Sequence, residues 1–220
     1  MLLQQEREQI VEYGIKCSEA GLCPGTSGNI SAFNAEKGLM AISPSGIDYY
    51  KTKPEDVVIM DLDGKIVDGD KKPSSEWGLH SIFYKTKPGI GGVVHTHSIY
   101  CTTYAVLGRP IRAVHYAIAD AGTPEIPVAP YHLFGTKELA EETIRVCGSG
   151  NAVLMANHGV IACGESVAKA FSLAVNLEYA AEIQYRAECI GKPNILTDEQ
   201  MLEVIGRFKS YGQVGEKKSY

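Results

Sequence analysis

Two histidines stand one residue apart at the end of an apolar run, in the segment "GGVVHTHSIY". Successive side chains of a β-strand point to opposite faces, so His95 and His97 would share a face and could converge on one ion or ligand. A third histidine, His158, follows the apolar run "VLMA" on an Asn-His-Gly turn. Three imidazoles at strand ends match the number of protein ligands in an open catalytic zinc site. The alternative is a set of satisfied core histidines without a cation.

Glu76 is the candidate carboxylate for such a site, in the segment "PSSEWGLHSIFYKT". Its spacing predicts a helix that starts near Ser75. A negative charge there is favoured by the helix dipole and by free backbone N–H groups, so Glu76 could simply be a good first-turn residue. The functional alternative is a general base or a fourth metal ligand. His80, four residues later, could face the same way and is interpreted as structural.

Three short segments are rich in Gly, Ser and Thr: "GTSGNIS" (25–31), "SPSG" (43–46) and "SS" (74–75). Each offers hydroxyls and accessible backbone N–H groups, which are the donors that a phosphate needs, and the third stands at a predicted helix start. The lysine and spacing of a nucleotide P-loop are missing. Taken singly, each segment is typical of a turn. Together with a metal site, they indicate a small phosphorylated substrate.

The elements that must position these residues alternate between helical and β-rich patterns. Short β-rich runs separated by Gly, Pro and Asp-Gly turns favour antiparallel pairing in the first half. Thr197 and Gln200 have capping-box spacing at the start of a last helix. The pattern predicts an α/β sandwich around a mixed sheet. The remaining predicted elements are a helix over 2–21, a strand that ends in His95 and His97, a helix in "GTKELAEETIRVC", a strand pair in "NAVLMANHGVIACG" and a helix over 165–190.

The composition limits the function classes. The chain has 220 residues and a net charge of −5, with scattered Lys and Arg, so neither a nucleic-acid nor a membrane partner is expected. We expect one domain over 1–220, with a loosely ordered tail at 213–220. The N-terminus lacks the pattern of a signal peptide, and no apolar stretch is long enough for a membrane span. The six cysteines lack CxxC spacing, which favours free, mostly buried thiols in a cytoplasmic protein.

The motifs "GTSGNIS", "SPSG", "PSSEW", "VVHTHS", "AVHYAIADAG", "PVAPYHLFGTKEL" and "NHGVIACG" together resemble the class II aldolase/epimerase family. The resemblance runs from about Leu22 to Tyr211 and is greatest to the branch that cleaves L-fuculose 1-phosphate. It implies a three-layer α/β/α sandwich with a mixed, largely antiparallel central sheet. It also implies a homotetramer with active sites at subunit interfaces, and a Zn²⁺ enzyme that reversibly cleaves a ketose 1-phosphate into dihydroxyacetone phosphate and a short aldehyde such as L-lactaldehyde.

The resemblance also assigns roles to individual residues. His95, His97 and His158 would bind Zn²⁺ with Glu76 as the fourth ligand, and Glu76 would also move the donor proton. Tyr116 would reach the active site of a neighbouring subunit and exchange the proton of the C4 hydroxyl, although by itself it reads as a buried or interfacial aromatic. The implied phosphate-binding residues are Thr26, Asn29, Ser45, Gly46, Ser74 and Ser75, and the implied second catalytic tyrosine is Tyr211.

Two departures from the fuculose-type pattern leave the substrate open. Asp120 occupies a loop position where that branch is apolar and where the L-ribulose-5-phosphate 4-epimerase branch carries an acid/base aspartate. Ser45 replaces the usual Thr but keeps the hydroxyl. The sequence "SSE" and the presence of Tyr116 favour the aldolase over the epimerase. A non-catalytic zinc-binding module is a further alternative, and a Schiff-base aldolase ranks below all of these because no lysine lies inside an apolar strand.

Overall fold

A computed structural model of the chain describes residues 1–208. The expectations for Tyr211 and for the tail at 213–220 therefore lie outside the described residues. The helices are α1 (Gln4–Glu19), α2 (Trp77–Thr86), α3 (Ile99–Leu107), α4 (Lys137–Cys147), α5 (Val167–Ile190) and α6 (Asp198–Phe208), with short 3₁₀ helices at Pro54–Asp56 and Tyr116–Ala121. The strands are β1 (Asn29–Asn34), β2 (Leu39–Ile42), β3 (Val58–Asp61), β4 (Ile66–Asp68), β5 (Gly92–Thr96), β6 (Val128–Ala129), β7 (Ala152–Met155) and β8 (Gly159–Gly164).

All these strands form one sheet in the order β4-β3-β2-β1-β5-β8-β7-β6. Neighbouring strands pair antiparallel from β4 to β7, and β6 pairs with β7 in parallel. The predicted mixed, largely antiparallel sheet is confirmed. The hairpins of the first half pair as the Gly and Asp-Gly turn signals indicated.

Each face of the sheet carries its own apolar core, because successive strand residues point to opposite sides. On one face, Val94 belongs to a buried cluster that includes Leu177 of α5. On the other face, Val93 belongs to a cluster that includes Phe83 of α2 and Leu139 of α4. Helices α1, α3, α5 and α6 cover the first face, and α2 and α4 cover the second. The chain is therefore the expected three-layer α/β/α sandwich.

Side chains cap the starts of three of the six α-helices within residues 1–208, namely α4, α5 and α6. The Thr136 hydroxyl accepts a hydrogen bond from the backbone N–H of Leu139 at the start of α4. Thr197 and Gln200 make both reciprocal bonds of a capping box ahead of α6. The sequence analysis did not anticipate α3, whose segment "IYCTTYAVL" is rich in β-branched and aromatic residues that are typical of strands.

Two expectations from composition can be compared with the structure. All six cysteines are free, and five of them are buried, with Cys189 exposed, which confirms the predicted thiols. Within residues 1–208, no helix is both long and apolar enough to cross a membrane.

Strand β5 is held against α5 by close backbone packing at Gly92. A Cβ atom at Gly92 would overlap the backbone of Ser166 and Val167, which begin α5, whereas a Cβ atom at Gly206 of α6 would meet nothing within 4 Å. The strand that carries His95 can therefore approach this helix only because position 92 lacks a side chain.

We predict opposite effects of the same substitution at these two glycines. Gly92→Ala should lower the free energy of unfolding by more than ~2 kcal/mol, because overpacking against backbone cannot be relieved by a rotamer change. Gly206→Ala should raise it by about 0.5–1 kcal/mol through helix propensity. Urea denaturation of both variants measures the difference. A Gly92→Ala protein as stable as the wild type would contradict the packing argument.

Candidate metal centre

The sheet topology brings the candidate ligands to one end of the molecule. Asn29 opens β1 and pairs directly with His95 near the end of β5. Thr96 of β5 pairs with Val160, next to the turn between β7 and β8 that carries His158. Glu76 immediately precedes α2, on the sheet face that His95 shares with Val93. Residues separated by up to 129 positions in sequence therefore meet at one end of the central strands.

The three imidazoles face one another at short range. The possible ligand atoms of His95, His97 and His158 all lie within 4.8 Å of one another. The Nε2 atoms of His95 and His97 are 3.0 Å apart. The Glu76 carboxylate completes the group, with Oε2 3.4 Å from His95 Nε2 and Oε1 3.3 Å from His158 Nε2. Glu76 makes no helix-capping bond with its side chain, so its first-turn position does not account for its orientation.

A backbone carbonyl fixes the orientation of His95. Its Nδ1 lies 2.9 Å from the carbonyl oxygen of Val160, which can only accept, so Nδ1 carries the proton. In the neutral ring, Nε2 then presents a lone pair to the centre of the group. A hydrogen bond from the remote nitrogen to a carbonyl is the usual support of a metal-ligating histidine.

The local electrostatics keep the imidazoles neutral and the carboxylate charged. Burial lowers the pKa of His95 to about 3, although Glu76 opposes that shift. Burial also lowers the pKa values of His97 and His158. Burial alone would raise the pKa of Glu76, but the imidazoles of His95 and His158 and the amide of Asn29 bring it below its ordinary value. Neutral imidazole and ionised carboxylate are the protonation states that bind a metal ion.

The arrangement fits a tetrahedral metal ion. Ligands at zinc distances are separated from one another by roughly 3.3 Å in a tetrahedron. Three separations, 3.0, 3.3 and 3.4 Å, lie close to that value, with one oxygen of Glu76 near His95 and the other near His158, and the histidine ligand atoms all lie within 4.8 Å of one another. Oε1 of Glu76 is buried and has no hydrogen-bond partner among the described residues. A buried anionic oxygen without a donor is costly, and a cation between it and the imidazoles would satisfy it.

A second carboxylate holds the chain just after His97. The two oxygens of Glu178 in α5 accept hydrogen bonds from the backbone N–H groups of Tyr100 and Cys101, at 2.8 and 2.9 Å. These N–H groups belong to the first turn of α3, which has no intrahelical acceptors. Glu178 thereby fixes the start of α3, and with it the backbone that presents His97. The sequence offered no signal for this role, because Glu178 lies within a long helix where charges usually face solvent.

A small polar cavity adjoins the metal centre. It has a volume of about 160 Å³, and Glu76 and His97 form part of its wall. The six residues implied as phosphate ligands all line it, and no Lys or Arg is among its described lining residues. The full lining is Thr26, Ser27, Gly28, Asn29, Pro44, Ser45, Gly46, Ser74, Ser75, Glu76 and His97.

Backbone contacts assemble this cavity from three distant loops. Ser74 donates its backbone N–H to the carbonyl of Ser43, and its hydroxyl accepts from the backbone N–H of Glu76. Ser45 donates its backbone N–H to the carbonyl of Lys72. Gly28 has φ +76°, and a Cβ atom there would lie 2.7 Å from the carbonyl oxygen of His95. The first loop can therefore pass close to β5 only with glycine at this position.

The structure places Tyr116 and Asp120 apart from these residues within the same chain. Tyr116 is 54% exposed and stacks on His115, on the face of the sheet covered by α5 and α6. Asp120 accepts a hydrogen bond of 3.1 Å from Asn176 and lines a separate cavity of about 400 Å³. That cavity lies at the Gly164 end of β8, away from His95. Neither residue meets the metal centre of its own chain.

A chain of buried polar residues lies behind Glu76, and it includes His80, which was interpreted from the sequence as structural. His80 is fully buried and contacts Ser31 and Asn29, and Asn29 in turn donates to Glu76. The i+4 spacing of Glu76 and His80 was the available signal. It did not reveal the link through Asn29, which comes from β1.

We predict that Zn²⁺ binds to His95, His97, His158 and Glu76 whether or not a substrate is present. Adding Zn²⁺ to about 100 times its dissociation constant should raise the Tm of EDTA-treated protein by roughly 5–10 °C, because a ligand of the folded state stabilises it by mass action. His158→Ala should lose most of this shift, and His132→Ala, which removes a histidine outside the group, should keep it. Differential scanning calorimetry measures the shift. An undiminished shift in His158→Ala would rule out the proposed ligand set.

Comparisons with known proteins identify the family of the chain. Residues 8–185 match the family model described as "Class II Aldolase and Adducin N-terminal domain". A 5-deoxy-D-ribulose 1-phosphate aldolase of Bacillus thuringiensis serovar kurstaki is 50% identical over 97% of this chain and 100% of its own. An L-fuculose phosphate aldolase of Escherichia coli O6:H1 is 40% identical over 93% of this chain and 94% of its own. A solved structure of an L-fuculose 1-phosphate aldolase is 41% identical, with a TM-score of 0.91 over 93% of this chain and 96% of that one. The chain therefore belongs to the class II aldolase and adducin N-terminal domain family, as an α/β protein of the class II aldolase fold.

Proposed function

We propose that this chain is a Zn²⁺-dependent aldolase that reversibly cleaves a deoxy-ketose 1-phosphate into dihydroxyacetone phosphate and a short aldehyde. The observation that carries the proposal is the convergence of His95, His97, His158 and Glu76 beside a cavity lined by hydroxyls. A metal centre with three histidines and a displaceable carboxylate is typical of catalytic rather than structural zinc. The adjoining cavity provides room for a polar group of the substrate.

The proposed chemistry is retro-aldol cleavage between C3 and C4. Bound Zn²⁺ supplies a Lewis acid that stabilises the negative charge developing on the substrate oxygens. In the condensation direction the Glu76 carboxylate, buried and ionised, is placed to remove a proton from the carbon that becomes C3, and in cleavage its protonated form returns a proton to that carbon. Tyr116 of a neighbouring subunit takes the proton of the C4 hydroxyl as the aldehyde forms and releases its own phenol proton to solvent, from which Glu76 is protonated. Tyr211 stays a proposed second catalytic tyrosine.

The phosphate is proposed to bind through neutral donors. Thr26, Ser45, Ser74 and Ser75 offer hydroxyls, Asn29 offers an amide, and Gly46 offers an unobstructed backbone. Ser75 also lies just before α2, where the helix dipole favours an anion. Neutral donors can hold a phosphate without placing a fixed positive charge beside the catalytic carboxylate.

The relatives favour 5-deoxy-D-ribulose 1-phosphate as the first substrate to test. The relative that shares 50% identity over 97% of this chain and 100% of its own is named for that sugar, while the fuculose-named relatives share about 40%. Cleavage between C3 and C4 would release acetaldehyde from the deoxyribulose phosphate and L-lactaldehyde from L-fuculose 1-phosphate. Both aldehydes end in a methyl group, so the two substrates differ by one hydroxymethylene unit.

A tetramer with active sites between subunits is part of the proposal. Ile99, Val106 and Leu107 on α3 are 69%, 54% and 57% exposed, and they line an open cavity with His97. An exposed apolar group of this kind is typical of a surface that another protein covers. Burial of this face by a second copy would close the metal centre from the side of His97 and could supply Tyr116.

The decisive assay measures dihydroxyacetone phosphate release in a coupled enzyme system. We expect release from 5-deoxy-D-ribulose 1-phosphate, slower release from L-fuculose 1-phosphate, and loss of both with EDTA. L-Ribulose 5-phosphate is tested in parallel for epimerisation at C4. Epimerisation without release would identify a 4-epimerase and would refute the aldolase proposal. Zinc binding without turnover of any of these sugars would support a non-catalytic module.

Glu76→Gln should lower kcat by about 10²–10⁴-fold, because the amide cannot carry the proton to and from C3. Glu12→Gln, which removes an exposed carboxylate paired with Lys16 on α1, is the matched control and should leave kcat unchanged. Steady-state kinetics with a saturating deoxy-ketose 1-phosphate gives both values. Near-full activity of Glu76→Gln would eliminate the proposed role of this carboxylate.

Mixed tetramers test whether Tyr116 acts across a subunit interface. Glu76→Gln and Tyr116→Phe chains, each nearly inactive alone, should regain about one quarter of wild-type activity when co-expressed, because random mixing around a ring restores that share of sites. Two different affinity tags isolate the mixed species. Activity no higher than the mean of the two parents would show that Tyr116 does not complete the site of another chain.

A further inference from the structure

We propose that His80 is a positioning residue for Glu76, acting through Asn29. The inference rests on the metal centre of the proposed function and adds a residue that touches neither metal nor substrate. The contacts form one line that alternates between α2 and β1 and ends at Glu76, just before α2. Tyr84 OH lies 2.7 Å from Ser31 Oγ, which lies 2.6 Å from His80 Nδ1. His80 Nε2 lies 2.5 Å from Asn29 Oδ1, and Asn29 Nδ2 donates to Glu76 Oε2 at 2.9 Å.

The donor and acceptor in each of these hydrogen bonds can be derived by starting from the Glu76 carboxylate. The ionised Glu76 carboxylate can only accept, so the Asn29 amide must turn its NH₂ group toward it. The amide oxygen then faces His80 and can only accept, so Nε2 of His80 carries the proton. In the neutral imidazole, Nδ1 accepts from the Ser31 hydroxyl, and Ser31 accepts from Tyr84. With a neutral His80 and an ionised Glu76, no other pattern satisfies all four contacts.

This polarity gives His80 a specific task. A proton on Nε2 holds the amide of Asn29 in one of its two possible orientations. The opposite orientation would place the amide oxygen against the Glu76 carboxylate, where two acceptors would repel each other. With Oε2 fixed by Asn29, the other oxygen of Glu76 stays turned toward His158 and has no donor of its own. His80 thus determines how the carboxylate is presented to a metal ion.

Burial makes the arrangement sensitive to the loss of one member. His80 has no solvent exposure, and Asn29 is 6% exposed, so water from bulk solvent has little access to replace a missing donor. Burial also lowers the pKa of His80 to about 4, which keeps the ring neutral near pH 7. A buried acceptor left without its donor costs free energy, and the amide can avoid this cost by turning away from Glu76.

Asn29 also connects the metal centre to the polar cavity. Its NH₂ group has two hydrogens, and the contact to Glu76 uses one of them. Asn29 is at the same time part of the cavity wall. The second hydrogen is therefore available to an oxygen in the cavity, so His80 sets the orientation of an amide that serves both sites.

The test measures the Zn²⁺ affinity of EDTA-treated, full-length protein by competition with a chromophoric chelator. His80→Leu should lower the affinity by about 10–100-fold, the usual cost of removing an outer partner of a metal ligand. His80→Gln, which retains an N–H donor near the position of Nε2, should recover most of it. Ser81→Ala removes a buried hydroxyl from the same helix that bonds to the carbonyl of Leu62, and it should leave the affinity unchanged.

A double-mutant cycle separates positioning from general packing. If His80 acts through Asn29, the double variant Asn29→Ala/His80→Leu should bind Zn²⁺ no more weakly than Asn29→Ala alone. Additive losses in the cycle, or equal losses in His80→Leu and His80→Gln, would overturn the proposal. If His80→Leu does not fold, His80→Phe keeps a ring in the core and takes its place. The affinity measurement uses Zn²⁺ alone and no sugar phosphate. Its outcome is therefore independent of whether the protein cleaves any of the sugars tested above.

Discussion

The structure depends on the burial of one carboxylate among imidazoles. Glu76 is only 6% exposed, and a buried anion is costly unless donors or a cation surround it. Asn29 satisfies one oxygen, and the other faces His158 without a hydrogen bond. The imidazoles of His95 and His158 hold the carboxyl pKa below its ordinary value despite the burial. A centre with this charge and these donors suits a divalent cation.

The fold forms this centre where the ends of several strands and the start of α2 meet. The antiparallel register places Asn29 against His95, and the turn between β7 and β8 brings His158 to the same end of these strands. Glu178 holds the first turn of α3, which fixes the backbone after His97. None of these ligands is presented by a long flexible loop. Rigid presentation suits a site whose ligands must stay within a few tenths of an ångström of their positions.

The grouping of His95, His97 and His158 could be predicted from sequence because its signals are local. An HxH pair at the end of an apolar strand and a histidine on a turn after another strand both report their positions by short-range spacing. The six residues that the family resemblance placed at phosphate positions all line the polar cavity, and the resemblance also implied the three layers, whereas periodicity predicted only an α/β sandwich around a mixed sheet. Helix α3 could not be predicted, because its β-branched and aromatic composition favours a strand and its first turn is held by Glu178 from a distant helix. The role of His80 stayed hidden for the same reason, since its partners Ser31 and Asn29 come from another element.

X-ray absorption at the zinc K-edge of Zn²⁺-loaded protein tests the central claim most directly. We predict a four-coordinate centre with nitrogen and oxygen neighbours at about 2.0–2.1 Å and the multiple-scattering pattern of three imidazoles. Neither a six-coordinate centre nor sulfur neighbours at about 2.3 Å are expected. A spectrum showing sulfur ligation, or one imidazole or none, would contradict the assignment of His95, His97, His158 and Glu76 as one metal centre.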